Sequence, residues 1–291
     1  MPNCEVCFRH CKIEEGRLGF CRARTCRNGK IVAANYGKLT AVMLDPIEKK
    51  PLSRFFPGSR ILSVGSYGCN LRCPFCQNYD ISWSDEVAGM SEGKLDSSCR
   101  EFTPEEVVEL AENYRSRGNI GIAFTYNEPL ISYEFVRDTA RLSKAKGMKN
   151  VIVSNGCAGL PVLSEIIPYI DAMNIDLKGF TDSYYNNTLG GNRKMVMDFI
   201  EAAVKKCHVE LTTLVVPGEN DSEEEMREMT SWIAGLTDGS GKTIGKDIPL
   251  HISRFFPRFK MTDRAATDVR KIFRLADVAR EKLNYVYEGN V

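Results

Sequence analysis

Residues 61–77, ILSVGSYGCNLRCPFCQ, place a strand-like apolar run directly before three closely spaced cysteines. Cys69, Cys73 and Cys76 follow the spacing C-x3-C-x2-C. A cubane [4Fe–4S] cluster has four iron corners that are normally closed by four thiolates, so three thiolates leave one iron without a protein ligand. An open coordination position is typical of metal sites that carry out chemistry. The alternatives are a structural zinc knuckle or buried free thiols, although zinc sites normally assemble four ligands from paired hooks.

This cysteine spacing, with the aromatic Phe75 before the last cysteine, resembles the signature of the radical S-adenosylmethionine (SAM) enzymes. The resemblance implies that SAM binds the open iron and that Phe75 lies beside its adenine. It also implies the activity, in which the reduced cluster cleaves SAM to a 5′-deoxyadenosyl radical that abstracts hydrogen from a substrate. Asn70 and Asn78 flank the cysteines and are candidates to hydrogen-bond the cluster sulfurs.

The composition is that of an ordinary globular chain of 291 residues, with 43% hydrophobic and 26% charged residues. Thirty-nine basic residues face 38 acidic ones, which gives no overall electrostatic footprint for nucleic acid or an anionic membrane. No apolar stretch approaches the length of a membrane span, and the N-terminus lacks signal-peptide character. Eleven cysteines, an odd number with ligand-like clustering, indicate reduced thiols in a cytoplasmic protein rather than a disulfide scaffold.

Three segments are distinguished along the chain. Residues 1–30 contain five cysteines and predict a small metal-binding segment. Residues 31–59 contain three prolines and predict an extended linking segment. Residues 60–291 predict the core domain.

In that core, strand-like and helix-like segments alternate. Short β-rich runs are predicted at 60–65, 120–126, 149–154, 172–177, 208–216 and 248–254. One of the intervening helices begins at Thr103, since TPEE offers an N-cap, a first-turn proline and a capping-box glutamate. Six β units with helical crossovers indicate an α/β fold with a parallel sheet. The family resemblance implies that the sheet curls into a partial (β/α)6 TIM-like barrel.

Polar residues follow the second and third predicted strands, and reactive groups in such folds collect at the carboxyl ends of strands. Asn127 and Glu128 match in position the segment that receives the SAM ammonium in the resembled family, and a carboxylate is a strong partner for an ammonium. Ser154 and Asn155 are placed to hydrogen-bond the ribose or the methionine carboxylate. We predict all four as cofactor-binding residues. For Glu128 the alternative is a solvated glutamate at a strand-end cap.

The last three predicted strands supply further candidates. Asp176 and Lys178 resemble the Asp-x-Lys element of glycyl-radical activating enzymes, which implies positions near the SAM carboxylate and the substrate. A plain salt bridge is the alternative for this pair. Thr212 is a further cofactor-binding candidate. His251 is either a substrate contact or a satisfied core histidine. We predict Asp176, Lys178 and His251 as catalytic residues, with Asp176 also contacting the cofactor.

The N-terminal cysteines form a second candidate metal site. Cys4, Cys7, Cys11 and Cys21 supply four thiolates, enough to close a zinc site or an auxiliary iron–sulfur cluster. Reduced cysteines that pack as small apolar groups are the alternative. Cys26 is a spare fifth cysteine.

The resemblance extends over nearly the whole chain to one branch, the AmmeMemoRadiSam system radical SAM enzymes, related to pyruvate formate-lyase activating enzymes. The segments that carry it are the cysteine-rich N-terminus, DPIEKKPL at 45–52, TYNEP at 125–129 and HISRFFP at 251–257. Cys26 stands where that branch usually has asparagine.

This branch implies an oxidoreductase that abstracts hydrogen from a glycyl residue of a partner protein and receives electrons from a flavodoxin-like or ferredoxin-like donor. Two other readings remain. One is radical modification of a small molecule or of RNA, although the charge balance disfavours RNA. The other is a non-catalytic iron–sulfur redox sensor.

Overall fold

The centre of the protein is an open, largely parallel sheet. A computed structural model describes residues 1–83 and 99–291. The strands in these ranges are β1 (Arg24–Arg27), β2 (Lys30–Ala33), β3 (Lys38–Leu39), β4 (Ala41–Pro46), β5 (Arg60–Gly65), β6 (Arg100–Glu101), β7 (Asn119–Phe124), β8 (Lys149–Ser154), β9 (Ala172–Asp176), β10 (His208–Val215), β11 (Leu250–Arg254) and β12 (Val286–Gly289).

Eight of these strands form one sheet in the order β12-β11-β10-β9-β8-β7-β5-β4. Neighbours from β5 to β12 pair in parallel, and β4 pairs antiparallel with β5. Across the described ranges, β4 and β12 do not pair with each other, so the sheet stays open. The predicted α/β fold with a parallel sheet is therefore confirmed.

Helices connect the parallel strands. They are α1 (Tyr79–Ser82), α2 (Pro104–Asn113), α3 (Tyr133–Ala145), α4 (Leu160–Ile166), α5 (Arg193–Ala203), α6 (Glu223–Ala234) and α7 (Val269–Arg280). The predicted capping box of α2 is present, because Thr103 Oγ1 accepts from Glu106 N at 3.2 Å and Glu106 Oε2 accepts from Thr103 N at 2.7 Å. None of the helices found in residues 1–83 and 99–291 has the length and apolarity needed to cross a membrane.

All six predicted parallel strands are present, and the sequence reasoning missed the two strands at the sheet edges. β4 lies in the segment predicted to be only extended, and its residues are mostly half-buried or exposed. It ends at Pro46, which an edge strand tolerates because one side of its backbone is unpaired. β12 is short and ends at Gly289, so it carries little strand pattern.

The N-terminal segment packs directly on this core. Cys4, Val6 and Ile13 belong to the same buried cluster as Leu62 and Val64 of β5. Arg9 donates to the backbone carbonyls of Asn70 and Gly190, two positions far along the chain.

The backbones of the N-terminal segment and the cysteine loop come very close together at Gly68. Gly68 has φ +89°, and a Cβ atom there would lie 2.5 Å from the carbonyl oxygen of Cys21. Only glycine fits this position, since it has no Cβ and tolerates a positive φ.

Candidate functional site

A cavity of about 350 Å³ lies at the carboxyl edge of the parallel strands. Residues from β9, β10 and β11 and from the loops after β5, β7 and β8 line it, including Cys69, Cys73, Phe75, Cys76, Asn127, Glu128, Ser154, Asn155, Asp176, Lys178, Thr212 and Ser253. The structure thus brings together every predicted cluster and cofactor residue of the core. Among the predicted catalytic residues, His251 does not line it.

The cysteine loop presents three free thiols to this cavity. Cys69 Sγ accepts from Leu71 N at 3.4 Å and from Asn155 Nδ2 at 3.7 Å, and Cys76 Sγ lies 3.8 Å from Ser82 Oγ. Hydrogen bonds to sulfur are one of the means by which proteins set the potential of an iron–sulfur cluster. The donor set and its surroundings therefore fit a cubane held by three thiolates.

The spacing of the thiols is also informative. In residues 1–83 and 99–291, no three cysteine, histidine, aspartate or glutamate side chains gather closely enough to hold one metal ion. A cubane does not need such convergence, because each thiolate binds a different iron atom.

Two asparagines of the loop act differently from the sequence prediction. Asn70 Nδ2 donates to the carbonyl of Cys157 at 2.7 Å, and Asn78 Nδ2 donates to the carbonyl of Tyr126 at 2.7 Å. Both amides brace the backbone of the loop. Asn155, which follows β8, is the asparagine whose amide is seen to reach a sulfur of the three-cysteine loop, that of Cys69.

Glu128 is a fully buried carboxylate that ties two strand ends together. Its Oε1 accepts from Ser154 Oγ at 2.8 Å and from Leu130 N at 3.0 Å, and its Oε2 accepts from Asn155 N at 2.8 Å. Burial raises the pKa of Glu128 to about 7 despite these bonds. A carboxylate offers about four acceptor positions, so one remains after these three bonds. Glu128 lines the cavity, so this remaining position suits an ammonium bound there.

Asn127 lines the cavity, but its amide is committed to the cysteine loop. Its Oδ1 accepts from Ser66 N at 2.9 Å, and its Nδ2 donates to the carbonyls of Tyr67 and Gly68 at 3.1 Å each. Asn127 therefore braces the entry of the loop, and its predicted contact with the cofactor stays a prediction.

Asp176 and Lys178, which also line the cavity, form an ion pair with 2.8 Å between Oδ2 and Nζ. Burial alone would lower the pKa of Lys178, but the charges of Asp176 and Cys73 outweigh it and hold that pKa well above its ordinary value. The ammonium is thus fixed as a positive charge beside a cluster cysteine. A cation so placed suits a carboxylate group.

Phe75 and Thr212 complete the wall. Phe75 packs edge-to-face on Phe255 with 6.2 Å between the ring centroids. Thr212 Oγ1 donates to Asn174 Oδ1 at 2.9 Å. Phe75 therefore presents an aromatic ring that is fixed by its packing on Phe255. The hydroxyl oxygen of Thr212 still has lone pairs that can accept a hydrogen bond.

His251, predicted as a catalytic residue, does not line the cavity. It is the second residue of β11, and its Nε2 is 2.7 Å from Glu210 Oε2. Its ring also stacks on Tyr287 at 5.2 Å. The residue of β11 that reaches the cavity is Ser253, two positions later on the same face.

A buried network that the sequence did not predict also borders the cavity. Asp45 Oδ2 accepts from Lys50 Nζ at 2.8 Å and from the Tyr126 hydroxyl at 2.5 Å. Burial alone would raise the pKa of Asp45, but these two bonds outweigh it and hold that pKa at about 2. Tyr126 adopts φ +74°, an uncommon value for a non-glycine residue that is often found at functional sites.

The four predicted N-terminal ligands also come together. Cys4, Cys7, Cys11 and Cys21 line a second, small cavity of about 10 Å³. Cys26 lies outside it, and its Sγ is 3.3 Å from Glu15 Oε2.

Sequence comparisons agree with this site. The Radical SAM superfamily model matches residues 63–230. A protein of Methanocaldococcus jannaschii described as uncharacterized protein MJ0808 is 38% identical over 293 residues, covering 99% of this chain and 81% of that protein. Pyruvate formate-lyase 1-activating enzyme of Escherichia coli K12 is 28% identical over 179 residues, covering 60% of this chain and 68% of that enzyme.

The fold is likewise similar to that of solved structures. SuiB of Streptococcus suis, solved with its precursor peptide SuiA, aligns with a TM-score of 0.58 at 12% identity, covering 84% of this chain and 51% of that one. The family model spans more than half of the 291 residues and includes both the three-cysteine loop and most of the cavity wall. This chain belongs to the radical SAM superfamily, which binds a [4Fe–4S] cluster and SAM.

Proposed function

We propose that this chain holds a [4Fe–4S] cluster through Cys69, Cys73 and Cys76, cleaves SAM reductively and abstracts hydrogen from a glycyl residue of a partner protein. The observation that carries the proposal is the single cavity shared by three free thiols, Glu128 and the Asp176–Lys178 pair. A purely electron-storing or sensing cluster would have no use for this set of polar groups beside it.

Each side chain has a role that its contacts support. The three cysteines bind three irons of the cluster and leave the fourth iron for SAM. When bound, the cluster supplies the electron and SAM is the radical precursor. The remaining acceptor position of Glu128 binds the ammonium of SAM. The positive Lys178, held by Asp176, binds its carboxylate, since charge-assisted hydrogen bonds are about twice as strong as neutral ones.

The rest of the pocket holds the nucleoside part of SAM. Phe75 offers its ring to the adenine, because it is already fixed against Phe255. Thr212 and Ser154 provide hydroxyl groups within the same cavity for the ribose.

Two observations support the assignment of a glycyl residue as the substrate. The chain is similar to an enzyme named as an activator of pyruvate formate-lyase. The Asp176–Lys178 pair also lies in the cavity, as the likeness to activating enzymes led us to expect. A flavodoxin-like or ferredoxin-like electron donor and a cytoplasmic location belong to the same proposal, and eleven free thiols suit a reducing compartment.

The first test is the formation of 5′-deoxyadenosine by anaerobically reconstituted protein with dithionite and SAM. We expect the product from the wild type and none from Cys73→Ala. Cys207→Ala is the matched control, because Cys207 lies outside the cavity and its thiol donates to the carbonyl of Ala203 at 3.7 Å. A wild type that has a full cluster and binds SAM but forms no product would refute the reaction.

The second test identifies the hydrogen donor. Host proteins labelled with α-deuterated glycine are incubated with the active protein, and the 5′-deoxyadenosine is analysed by mass spectrometry. Deuterium in the product supports a glycyl donor. Deuterium transfer only from a deuterated small-molecule extract, or only from deuterated RNA, would overturn it in favour of that substrate.

A further inference from the structure

The N-terminal cysteines come close together although 17 positions separate the first from the last. Cys4, Cys7, Cys11 and Cys21 all line the small cavity, and all four are free thiols. A backbone hydrogen bond from Cys4 N to Cys11 O, 2.9 Å long, holds the first and third cysteines side by side. Cys4 and Cys7 have the two-residue spacing of a metal-binding hook.

The size of this cavity discriminates between the metals that four thiolates can hold. Its volume of about 10 Å³ is on the scale of a single water molecule. In residues 1–83 and 99–291 no three cysteine, histidine, aspartate or glutamate side chains converge on one ion as they stand, so the thiols must rotate inward to bind it. A single ion fits such a space once they do so. A cubane cluster of eight heavy atoms does not, and the first cluster site opens instead onto a cavity of about 350 Å³.

The charges around the cavity favour thiolates. Four thiolates around one Zn²⁺ leave two negative charges in excess. Two guanidinium groups, those of Arg9 and Arg24, line the cavity. Glu134 offsets part of this positive charge through its ion pair with Arg24 at 2.7 Å.

Arg24 also carries an unused donor. Its side chain is only 4% exposed, and its Nε is buried without a hydrogen-bond partner. A buried guanidinium nitrogen without a partner is costly, and a metal-bound thiolate is a suitable acceptor for it.

We propose that Cys4, Cys7, Cys11 and Cys21 bind one zinc ion in a closed, four-thiolate structural site that is separate from the SAM cavity. The site does not depend on the proposed reaction. It lies against the cysteine loop, since Arg9, which lines it, donates from Nε to the carbonyl of Asn70 at 2.9 Å.

The test uses the full chain with Cys69, Cys73 and Cys76 all replaced by alanine, so that the first cluster is absent. Metal analysis should find about one zinc per chain and almost no iron. X-ray absorption should show only sulfur neighbours at about 2.3 Å from the zinc. A preparation with about four irons and matching sulfide, or one without bound metal, would overturn the proposal, as would nitrogen or oxygen neighbours around the zinc.

Two further variants in this background separate ligands from neighbours. Cys21→Ala should lose the zinc, and the cobalt-substituted protein should lose its intense thiolate-to-metal absorption. Cys26→Ala is the matched control, because Cys26 is buried in the same segment but lies outside the cavity. It should keep one zinc. Zinc retained in Cys21→Ala, or lost from Cys26→Ala with the fold intact, would refute this ligand set.

Discussion

Asn155 Nδ2 donates to Asn70 Oδ1 at 2.9 Å, which ties the end of β8 to the cysteine loop. The same nitrogen lies 3.7 Å from Cys69 Sγ, and the backbone N–H of Asn155 binds Glu128. One residue therefore links a proposed cluster ligand, through its side chain, to the carboxylate proposed to bind SAM, through its backbone.

Replacement of Asn155 by alanine should weaken SAM binding about tenfold, since the loss of one or two hydrogen bonds amounts to about 1.4 kcal/mol. Calorimetry on the cluster-loaded variant measures the affinity. Asn150→Ala is the control, because Asn150 is equally buried in β8 but its amide binds the carbonyls of Ala140 and Tyr169. The interpretation fails if both variants lose the same affinity.

Glu210 should make the fold sensitive to acid. Burial alone would raise its pKa, but hydrogen bonds from His208, His251 and two backbone N–H groups hold it at about 2, compared with 4.5 ordinarily. A lowered carboxyl pKa stabilises the fold above pH 4.5, here by about 3 kcal/mol, and this contribution is lost as the pH falls from 4.5 towards 2.

Glu210→Gln should therefore lower the free energy of unfolding by about 3 kcal/mol at pH 7. At pH 3 the difference from the wild type should be clearly smaller. Urea unfolding of both proteins at the two pH values measures it. An equal difference at both pH values would show that ionisation of this carboxyl does not contribute.

His251→Gln separates a structural histidine from a catalytic one. Because His251 binds Glu210 below the cavity, we expect the free energy of unfolding to fall by about 2 kcal/mol, the value of a hydrogen bond to a charged group. The rate of 5′-deoxyadenosine formation at equal cluster content should change less than twofold. Lys178→Met, which alters the cavity wall, should reduce that rate. A rate that falls more than tenfold in His251→Gln would restore the catalytic assignment.

Lys50→Met should destabilise the protein by about 3 kcal/mol, because it removes the buried cation that neutralises Asp45 and leaves the mostly exposed Lys49 at 3.5 Å. The double variant Asp45→Asn/Lys50→Met should recover much of this loss, since no charge is then buried alone. Chemical unfolding of the two single variants and the double variant forms the cycle. Additive losses in the double variant would show that the pair does not interact.

The three cysteines proposed as cluster ligands could be identified from the sequence because they lie within eight residues of one loop and have a characteristic spacing. The parallel strands were equally accessible, since runs such as β5 are buried at nearly every position. Strand ends could be placed to within a few residues, which sufficed for Glu128, Asn155 and Asp176.

Contacts between distant segments could not be predicted from the sequence. Asn70 and Asn155 both carry an amide near the cysteines, and only tertiary packing decides that Asn155 faces the sulfur. The position of His251 away from the cavity lining has a different origin, because β11 begins at Leu250 and alternation brings Ser253 to the edge. The Asp45–Lys50–Tyr126 network joins Asp45 of β4 to Tyr126, 81 positions away, and no periodicity encodes it.

The packing of the N-terminal segment on the core has a consequence for biosynthesis. Arg9 is made early, but one of its two carbonyl partners, that of Gly190, comes 181 residues later. At about 5–20 residues per second, a ribosome needs roughly 10 to 40 seconds to reach it. During that interval the four N-terminal thiols have no core to pack against. They are exposed to dissolved metal ions before the rest of the chain closes over them.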